Sequence, residues 1–248
     1  TVAMTDQGDP VAQLGIKATL EAKLVDRLET GNITKVEDLE SGWEYTSLPS
    51  AASCRALTYA DGKFVALSRT GTNRSFYSTD GINWSTGDLV DDNPWQNVAY
   101  GNGVFCTVAD GSGNTATSAN GINWTNHYNV AVIQGWRGLT FGGEKFVAVA
   151  DNTDARAMYS TDGINWTKGN YVPTCAWSAV TYGNGRFVAM AITGSPYSMY
   201  SDDGISWYSG NAPAGNWTAV AYGEDKFVAV GNGSGGNYIN YSFDGINW

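Results

Sequence analysis

Residues Tyr159–Thr167 read YSTDGINWT, and the chain writes this phrase repeatedly. Near-copies are YSTDGINWS from Tyr77, YSDDGISWY from Tyr200 and YSFDGINW from Tyr241, with a worn copy, TSANGINWT, from Thr117. The closing Trp falls at 84, 124, 166, 207 and 248. Trp43, in SGWEYT, stands one period earlier, so the steps are 41, 40, 42, 41 and 41 residues. A second phrase keeps the same period: RALTYADGKFVALS, QNVAYGNGVFCTVA, RGLTFGGEKFVAVA, SAVTYGNGRFVAMA and TAVAYGEDKFVAVG begin at Arg55, Gln96, Arg137, Ser178 and Thr218. Ten residues before the Phe of each lie Cys54, Trp95, Trp136, Trp177 and Trp217, so all 10 tryptophans occupy two positions of one unit.

Each unit reads as four short strands, A to D. In the fourth, WSAVTYG alternates as a half-buried strand does. GNG is a tight turn whose residues accept positive φ. RFVAMAI and SMYSD are the next two strands, and the DG of SDDGIS turns the chain into ISWYS. Four antiparallel strands per roughly 40 residues are the signature of a β-propeller blade. The predicted fold is therefore an all-β propeller over 43–248. It has five complete units plus one extra D-type strand at Trp43. Either that strand closes a five-bladed ring or the units belong to a ring of six or seven.

The repeated phrase reads as a hairpin clasp. Ser78 and Asp80, Ser160 and Asp162, Ser201 and Asp203, and Ser242 and Asp244 can accept backbone N–H groups across the C–D turn. Gly81, Gly163, Gly204 and Gly245 take the left-handed position. The following Ile, and Trp84, Trp166, Trp207 and Trp248, are expected to put large apolar groups between sheets.

The motif S-x-D-G-x-x-W resembles the Asp-box of sialidase-like propellers, one residue shorter. The short form YSTDGINW is similar to repeats in phage tail-fibre and bacterial surface proteins. That resemblance spans roughly 43–248 and implies a virion-surface fibre protein. Its propeller would touch a host glycan or protein while its N-terminus docks to other virion proteins. A structural decoration protein without a ligand, and a bacterial surface lectin or adhesin, are the alternatives.

Residues 1–42 carry no repeat. Asp9-Pro10 is a helix start and Gly31-Asn32 a stop. Between them Ile16, Leu20, Leu24 and Leu28 recur every four residues, with Val11, Leu14 and Val25 beside them. About 21 helical residues would span roughly 30 Å. The apolar stripe predicts an anchoring or oligomerising arm, and the fibre resemblance implies a trimer. The chain opens on Thr1, from which loss of at least an initiator Met is expected.

The net charge of −10 argues against nucleic acid, which needs a basic footprint, and against docking to an anionic membrane surface. No run approaches the roughly 18 apolar residues of a membrane span. Cys54, Cys106 and Cys175 have neither even number nor metal-ligand spacing, so no disulfide framework, metal or cofactor is expected.

The topology places the A–B and C–D turns on one face and the variable D–A and B–C loops on the other. Loops on a rigid scaffold carry function. The B–C loops SRTGTNRS, ADGSGNTA, ADNTDARA, AITGSPYS and GNGSGGNY are rich in Asn, Asp, Ser, Gly and Tyr, a mixture that suits sugars. Arg69, Arg74, His127, Tyr128, Asp154, Arg156, Tyr171 and Tyr197 break the repeat there and are candidate ligand-binding residues. Trp95, Trp136, Trp177 and Trp217 end the D–A loops. They read as stacking platforms or, as their register favours, inter-blade packing. A sialidase-like enzyme would need an arginine triad with a Tyr nucleophile and an acidic partner. Arg55 and Arg137 start inner strands and could face the mouth, whereas Arg186 lies in an A–B turn, and no Tyr–Glu pair stands out. The chain is expected to be non-catalytic.

Overall fold

In the computed structural model, residues 46–89, 91–128, 135–151, 157–232 and 239–248 are described. The arm residues Val11, Leu14, Ile16, Leu20, Leu24 and Leu28, together with Trp43, Asp154 and Arg156, lie outside them. Every described element is a strand. The first blade is β1 (Cys54–Ala60), β2 (Lys63–Ser68), β3 (Ser75–Ser78) and β4 (Ser85–Thr86). The second is β5 (Trp95–Gly101), β6 (Val104–Ala109), β7 (Thr115–Ser118) and β8 (Thr125–His127). The third is β9 (Trp136–Gly142), β10 (Lys145–Ala150), β11 (Ala157–Ser160) and β12 (Thr167–Lys168). The fourth is β13 (Ala176–Gly183), β14 (Arg186–Thr193), β15 (Ser198–Ser201) and β16 (Tyr208–Ser209). The fifth is β17 (Asn216–Gly223), β18 (Lys226–Asn232) and β19 (Ile239–Ser242).

Each sheet is an antiparallel meander in chain order, as the repeat predicts. The fifth shows three described strands where a complete unit was expected to have four. In the first, third and fourth blades the D strand is the pair of residues after the clasp Trp. The A–B turns place consecutive residues at positive φ: Asp61-Gly62, Asn102-Gly103, Gly143-Glu144, Asn184-Gly185 and Glu224-Asp225. That geometry matches the twist of a two-residue hairpin. Only the last turn meets it without a glycine.

The inner strands β1, β5, β9, β13 and β17 pack on one another in sequence order. The contact that sets their spacing is a ring on a glycine. A Cβ built on Gly101 would stand 2.1 Å from the Phe141 ring, on Gly142 2.0 Å from Tyr182, and on Gly183 2.0 Å from Tyr222. Each of these rings also lies 4.6–4.8 Å from the Phe that starts its own B strand, as in Phe141–Phe146 and Tyr182–Phe187. So the sixth residue of each phrase, which looks like turn punctuation, is a socket for the next blade. In the first unit Ala60 holds the socket position, and both Ala60 and Tyr100 pack against one core cluster.

The clasp is seen five times. The Gly81, Gly121, Gly163, Gly204 and Gly245 amides donate to the preceding Ser hydroxyl at 2.8–2.9 Å. One oxygen of Asp80, Asp162, Asp203 or Asp244 accepts the next two amides at 2.7–2.9 Å. In the worn copy the Asn120 amide oxygen does the same at 2.8–2.9 Å. The indoles of Trp84, Trp166 and Trp248 return a bond to the clasp Gly carbonyl. The expectation that the clasp Ile packs between sheets is wrong at two copies: Ile82 is 60% and Ile164 44% exposed. Its carbonyl is what the fold uses. Asp88, Asn170 and Asn211 at the ends of D strands donate to the carbonyls of Ile122, Ile205 and Ile246 in the next clasp, at 2.7–3.0 Å. The Thr46 hydroxyl reaches the Ile82 carbonyl in the same way.

The clasp glycines also press on the preceding blade. A Cβ on Gly121, Gly204 or Gly245 would come within 3.0 Å of Val65, Val147 or Val188 in turn. One on Gly163 would stand 2.9 Å from Thr117 and 3.1 Å from the Cys106 sulfur. Burial accordingly pushes the Cys106 thiol far up, and it acts as an inert apolar group.

The two ends do not close on each other as the interior junctions do. A Cβ on Gly223 meets nothing within 4 Å. Tyr59, whose counterparts sit on sockets, is 61% exposed, and Leu57 is 50% exposed where Val98, Leu139 and Val180 are buried. The Trp43 strand, on which closure of a five-bladed ring was expected to turn, lies outside the described residues.

These contacts predict an asymmetry. Gly183→Val is expected to destabilise the chain by about 1–3 kcal/mol through overpacking, while Gly223→Val stays within about 0.5 kcal/mol of the parent. Urea unfolding midpoints would show it. Asp225→Gly, which relieves a left-handed non-glycine residue, is expected to stabilise by about 1 kcal/mol in the same assay.

The clasps predict acid sensitivity. Burial raises the Asp162 pKa, but the bonds from Asn165, Ile164 and Ser160 outweigh it and hold it at about 2. The Asn83 bonds hold Asp80 well below the usual carboxylate range, and Asp203 and Asp244 are also lowered. A carboxylate with a depressed folded pKa stabilises fully above its unfolded value, near about 4, and loses that contribution as pH falls through the folded one. The melting temperature should therefore fall steeply between about pH 4 and pH 2. Asp162→Asn, which copies Asn120, should cost less than Asp162→Ala, whose loss is about 1–3 kcal/mol.

Candidate functional site

The turns and loops separate as the topology predicts. Arg186, the first residue of β14, reaches Asp202 at 2.6 Å and the Asp244 carbonyl at 2.6 Å, both on clasps. Its guanidinium also lies 5.0 Å from the Tyr200 ring centroid. Asn102 in another A–B turn donates to the Thr161 carbonyl at 3.0 Å. These contacts belong to the scaffold face. On the opposite face, Asp110 pairs with Gly135 and Asp151 donates its amide to the Gly135 carbonyl, so B–C loops and D–A loops meet there.

One polar track crosses that loop face over three blades. It is built from two register positions. The second residue of the inner strand is Arg55 on β1, Gln96 on β5 and Arg137 on β9. The residue fourteen further on, where the B–C loop leaves the sheet, is Arg69, Asp110 or Asp151. The Arg55 Nε donates to the Gln96 Oε1 at 3.3 Å, and the Gln96 amide donates to Asp110 at 3.2 Å. Arg69 and Arg137 both reach the same Asp110 oxygen at 3.1 Å, and the Arg137 Nε reaches Asp151 at 2.6 Å. The side chains of Arg137, Asp110 and Asp151 keep 28%, 15% and 22% of their surface in water, and Arg69 keeps 42%. The track is thus held in place and still reachable. It ends at the fourth blade, where Ser178 turns its hydroxyl to the Trp217 carbonyl at 2.6 Å and Ile192 stands in the loop position.

Its chemistry is that of recognition. Three guanidinium groups offer planar forks suited to a carboxylate or phosphate. The two carboxylates and the amide suit hydroxyl groups. The six groups carry a local excess of one positive charge on a chain of net charge −10.

The other predicted residues scatter. Arg74 is buried, its guanidinium on the Arg69 carbonyl and on Asp92, and it holds the loop beneath Arg69. His127 lies on β8 with its Nε2 2.8 Å from the Thr117 hydroxyl. Burial lowers its pKa, and the Asp162 charge offsets part of that. Tyr128 is exposed beside it. Tyr171 is exposed at positive φ, and Tyr197 packs against the apolar cluster of the last two blades. Trp95, Trp136, Trp177 and Trp217 are 0–3% exposed and offer no face to a ligand. They fill the inter-blade cores, and the Trp177 and Trp217 indoles donate to the Pro173 and Pro213 carbonyls at 3.0 and 3.1 Å. Gln96, Asp110 and Asp151 were missed. The signal was present: R, Q, R against S, T at one fixed register position. Asp110 and Asp151 read as ordinary turn residues because each is followed by a run of small polar residues.

No protein-family model matches this sequence, and no curated protein matches it. Among solved structures the chain is similar to the computationally designed Ika8 protein, at 14% identity and a TM-score of 0.59 over 78% of this chain and 60% of that one. It is similar to virginiamycin B lyase from Staphylococcus aureus, at 15% identity and a TM-score of 0.65 over 76% of this chain and 66% of the lyase. It is also similar to YCF48 bound to D1 peptide, at 16% identity and a TM-score of 0.60 over 81% of this chain and 69% of that one. The chain thus spans less than two thirds of the length of the first two. At these identities the likeness carries the fold alone: repeated four-stranded sheets arranged as a β-propeller.

Proposed function

We propose that this chain is a non-catalytic recognition protein of a virion fibre, whose propeller binds a host-surface glycan or protein on its loop face. The residue 1–42 arm docks it to the particle and holds several copies together. The observation that supports this reading is the Arg55–Gln96–Asp110–Arg137–Asp151 track with Arg69. It lies where the repeat breaks, on the face that carries loops, and its groups remain partly in water. A scaffold rule would have repeated the same residues in all five units. The clasp face, by contrast, is occupied by bonds that the fold itself requires. One likeness is to a lyase, but the sole histidine, His127, is bonded to Thr117 on an outer strand and is not among the contacts of the track. Weak single sites on several chains gain strength by avidity.

The test is a glycan array and a host-cell binding assay with the full chain, its Arg137→Ala variant and its Arg69→Ala variant. Each substitution is expected to weaken binding by about tenfold or more, as loss of an anchoring arginine does. Because partly exposed ion pairs contribute only about 0–1 kcal/mol, the melting temperature should barely move. Binding should also weaken with rising salt. Absence of binding to any glycan or host surface, or binding indifferent to both substitutions, would sink the reading.

A further inference from the structure

Asparagine precedes glycine at Asn102, Asn120, Asn184 and Asn232. The last of these pairs extends outside the described residues, and the fold holds the other three in different ways. We propose that Asn184 is a site of spontaneous deamidation on the scaffold face, converting ahead of Asn102, and that the clasp holds Asn120 back. The reaction needs only water and hydroxide. The Gly185 amide nitrogen gives up its proton to hydroxide and attacks the Asn184 Cγ. The new N–C bond closes a five-membered succinimide, while the side-chain nitrogen takes a proton from water and leaves as ammonia. Water then opens the ring at either carbonyl, leaving aspartate or isoaspartate and one more negative charge on a chain of net charge −10. A fold controls this chemistry through the freedom of three groups: the attacking amide, the side-chain carbonyl and the departing nitrogen.

At Asn184 all three are loose. Asn184 and Gly185 are both exposed, and a Cβ on Gly185 would meet nothing within 4 Å, so there is room for the ring. Among the described residues nothing bonds the Asn184 side chain, and no turn bond engages the Gly185 N–H. Asn102 sits in the same kind of turn, at φ 49° against 47° for Asn184, so the cost of opening the hairpin is common to both. Its glycine is equally open. The difference is the departing nitrogen. The Asn102 Nδ2 donates to the Thr161 carbonyl at 3.0 Å and lies 3.4 Å from the Glu144 carbonyl, so an inter-blade tether must be released first. Asn120 is closed at every point. The Gly121 N–H donates to the Ser118 hydroxyl at 2.8 Å, and the Asn120 Oδ1 is pinned by the Ile122 and Asn123 amides at 2.9 and 2.8 Å. A Cβ on Gly121 would stand 2.6 Å from Val65, so the ring has no space. Opening toward isoaspartate runs the main chain through the side chain and lengthens a two-residue loop. The β13–β14 hairpin is therefore where the fold ages first. The inference is independent of the proposed ligand site, since none of the three pairs belongs to the arginine track.

Timed incubation of the full folded chain at mildly alkaline pH tests it. Digestion and mass spectrometry follow the change from amide to acid in the peptide that carries each pair. A parallel sample is kept unfolded in guanidinium chloride. In the folded chain one hydrogen bond is expected to slow Asn102 by about threefold to tenfold relative to Asn184. Asn120 should stay an amide over the same time. In denaturant the three rates should converge, because each asparagine then simply precedes a glycine. Conversion at Asn102 or Asn120 as fast as at Asn184 in the folded chain would overturn the proposal. So would an Asn184 that converts in denaturant and not in the folded chain. The same order in both samples would overturn it as well, by assigning the order to local sequence instead of the fold.

Discussion

Everything in this fold depends on how closely two neighbouring inner strands can approach. A glycine at the end of one inner strand lets the ring of the next lie flat on its backbone, at a distance where a single methyl group would collide. That contact sets the spacing of the blades near the axis. The ring then leans on the Phe of its own hairpin, which carries the constraint into the second strand. The buried tryptophans fill what remains between the sheets. The first unit has Ala60 at the glycine position, and Ala60 and Tyr100 both pack against the same core cluster.

The clasps solve a different problem. A short C–D hairpin far from the axis has little apolar surface of its own, and its turn exposes several amide groups. A hydroxyl and a carboxylate from the same four residues take up those amides. The Ile carbonyl left over then accepts from the preceding blade, so a local turn also becomes an inter-blade contact. This explains why the motif tolerates Asn120 for Asp: the accepting oxygen matters more than its charge.

The architecture was legible because a period of about 41 residues repeats itself in the positions that bind blades together. Strand order, the tight A–B turns and the Ser–Asp bonds all followed from it. The sequence was less informative about the clasp Ile, because a large apolar residue in a repeat reads as core whether its side chain or its carbonyl is used. It was also ambiguous about closure, since an extra D-type strand at Trp43 is compatible with more than one ring. The site was half legible. Arg69 stood out as a break in the repeat, and Arg55 and Arg137 as inner-strand residues that could face the mouth, but Asp110 and Asp151 did not. What makes them partners is a juxtaposition of two loops from adjacent blades, and no local pattern records that. Arg74 drew attention as a break in the repeat, yet its place beneath the loop is set by the Arg69 carbonyl and Asp92, both found only in three dimensions.

The junction residues lie on the strands and clasps, and the variable loops lie on the other side. A stretch of DNA encoding one unit is therefore a self-sufficient cassette. Its junctions reuse one chemistry, ring on glycine and clasp on the preceding blade, so unequal recombination between units that keep those residues lengthens or shortens the array without creating a new kind of seam. Each such event would alter the set of loops displayed, while the seams keep their chemistry. Diversity on the binding side and constancy at the seams can then be inherited separately.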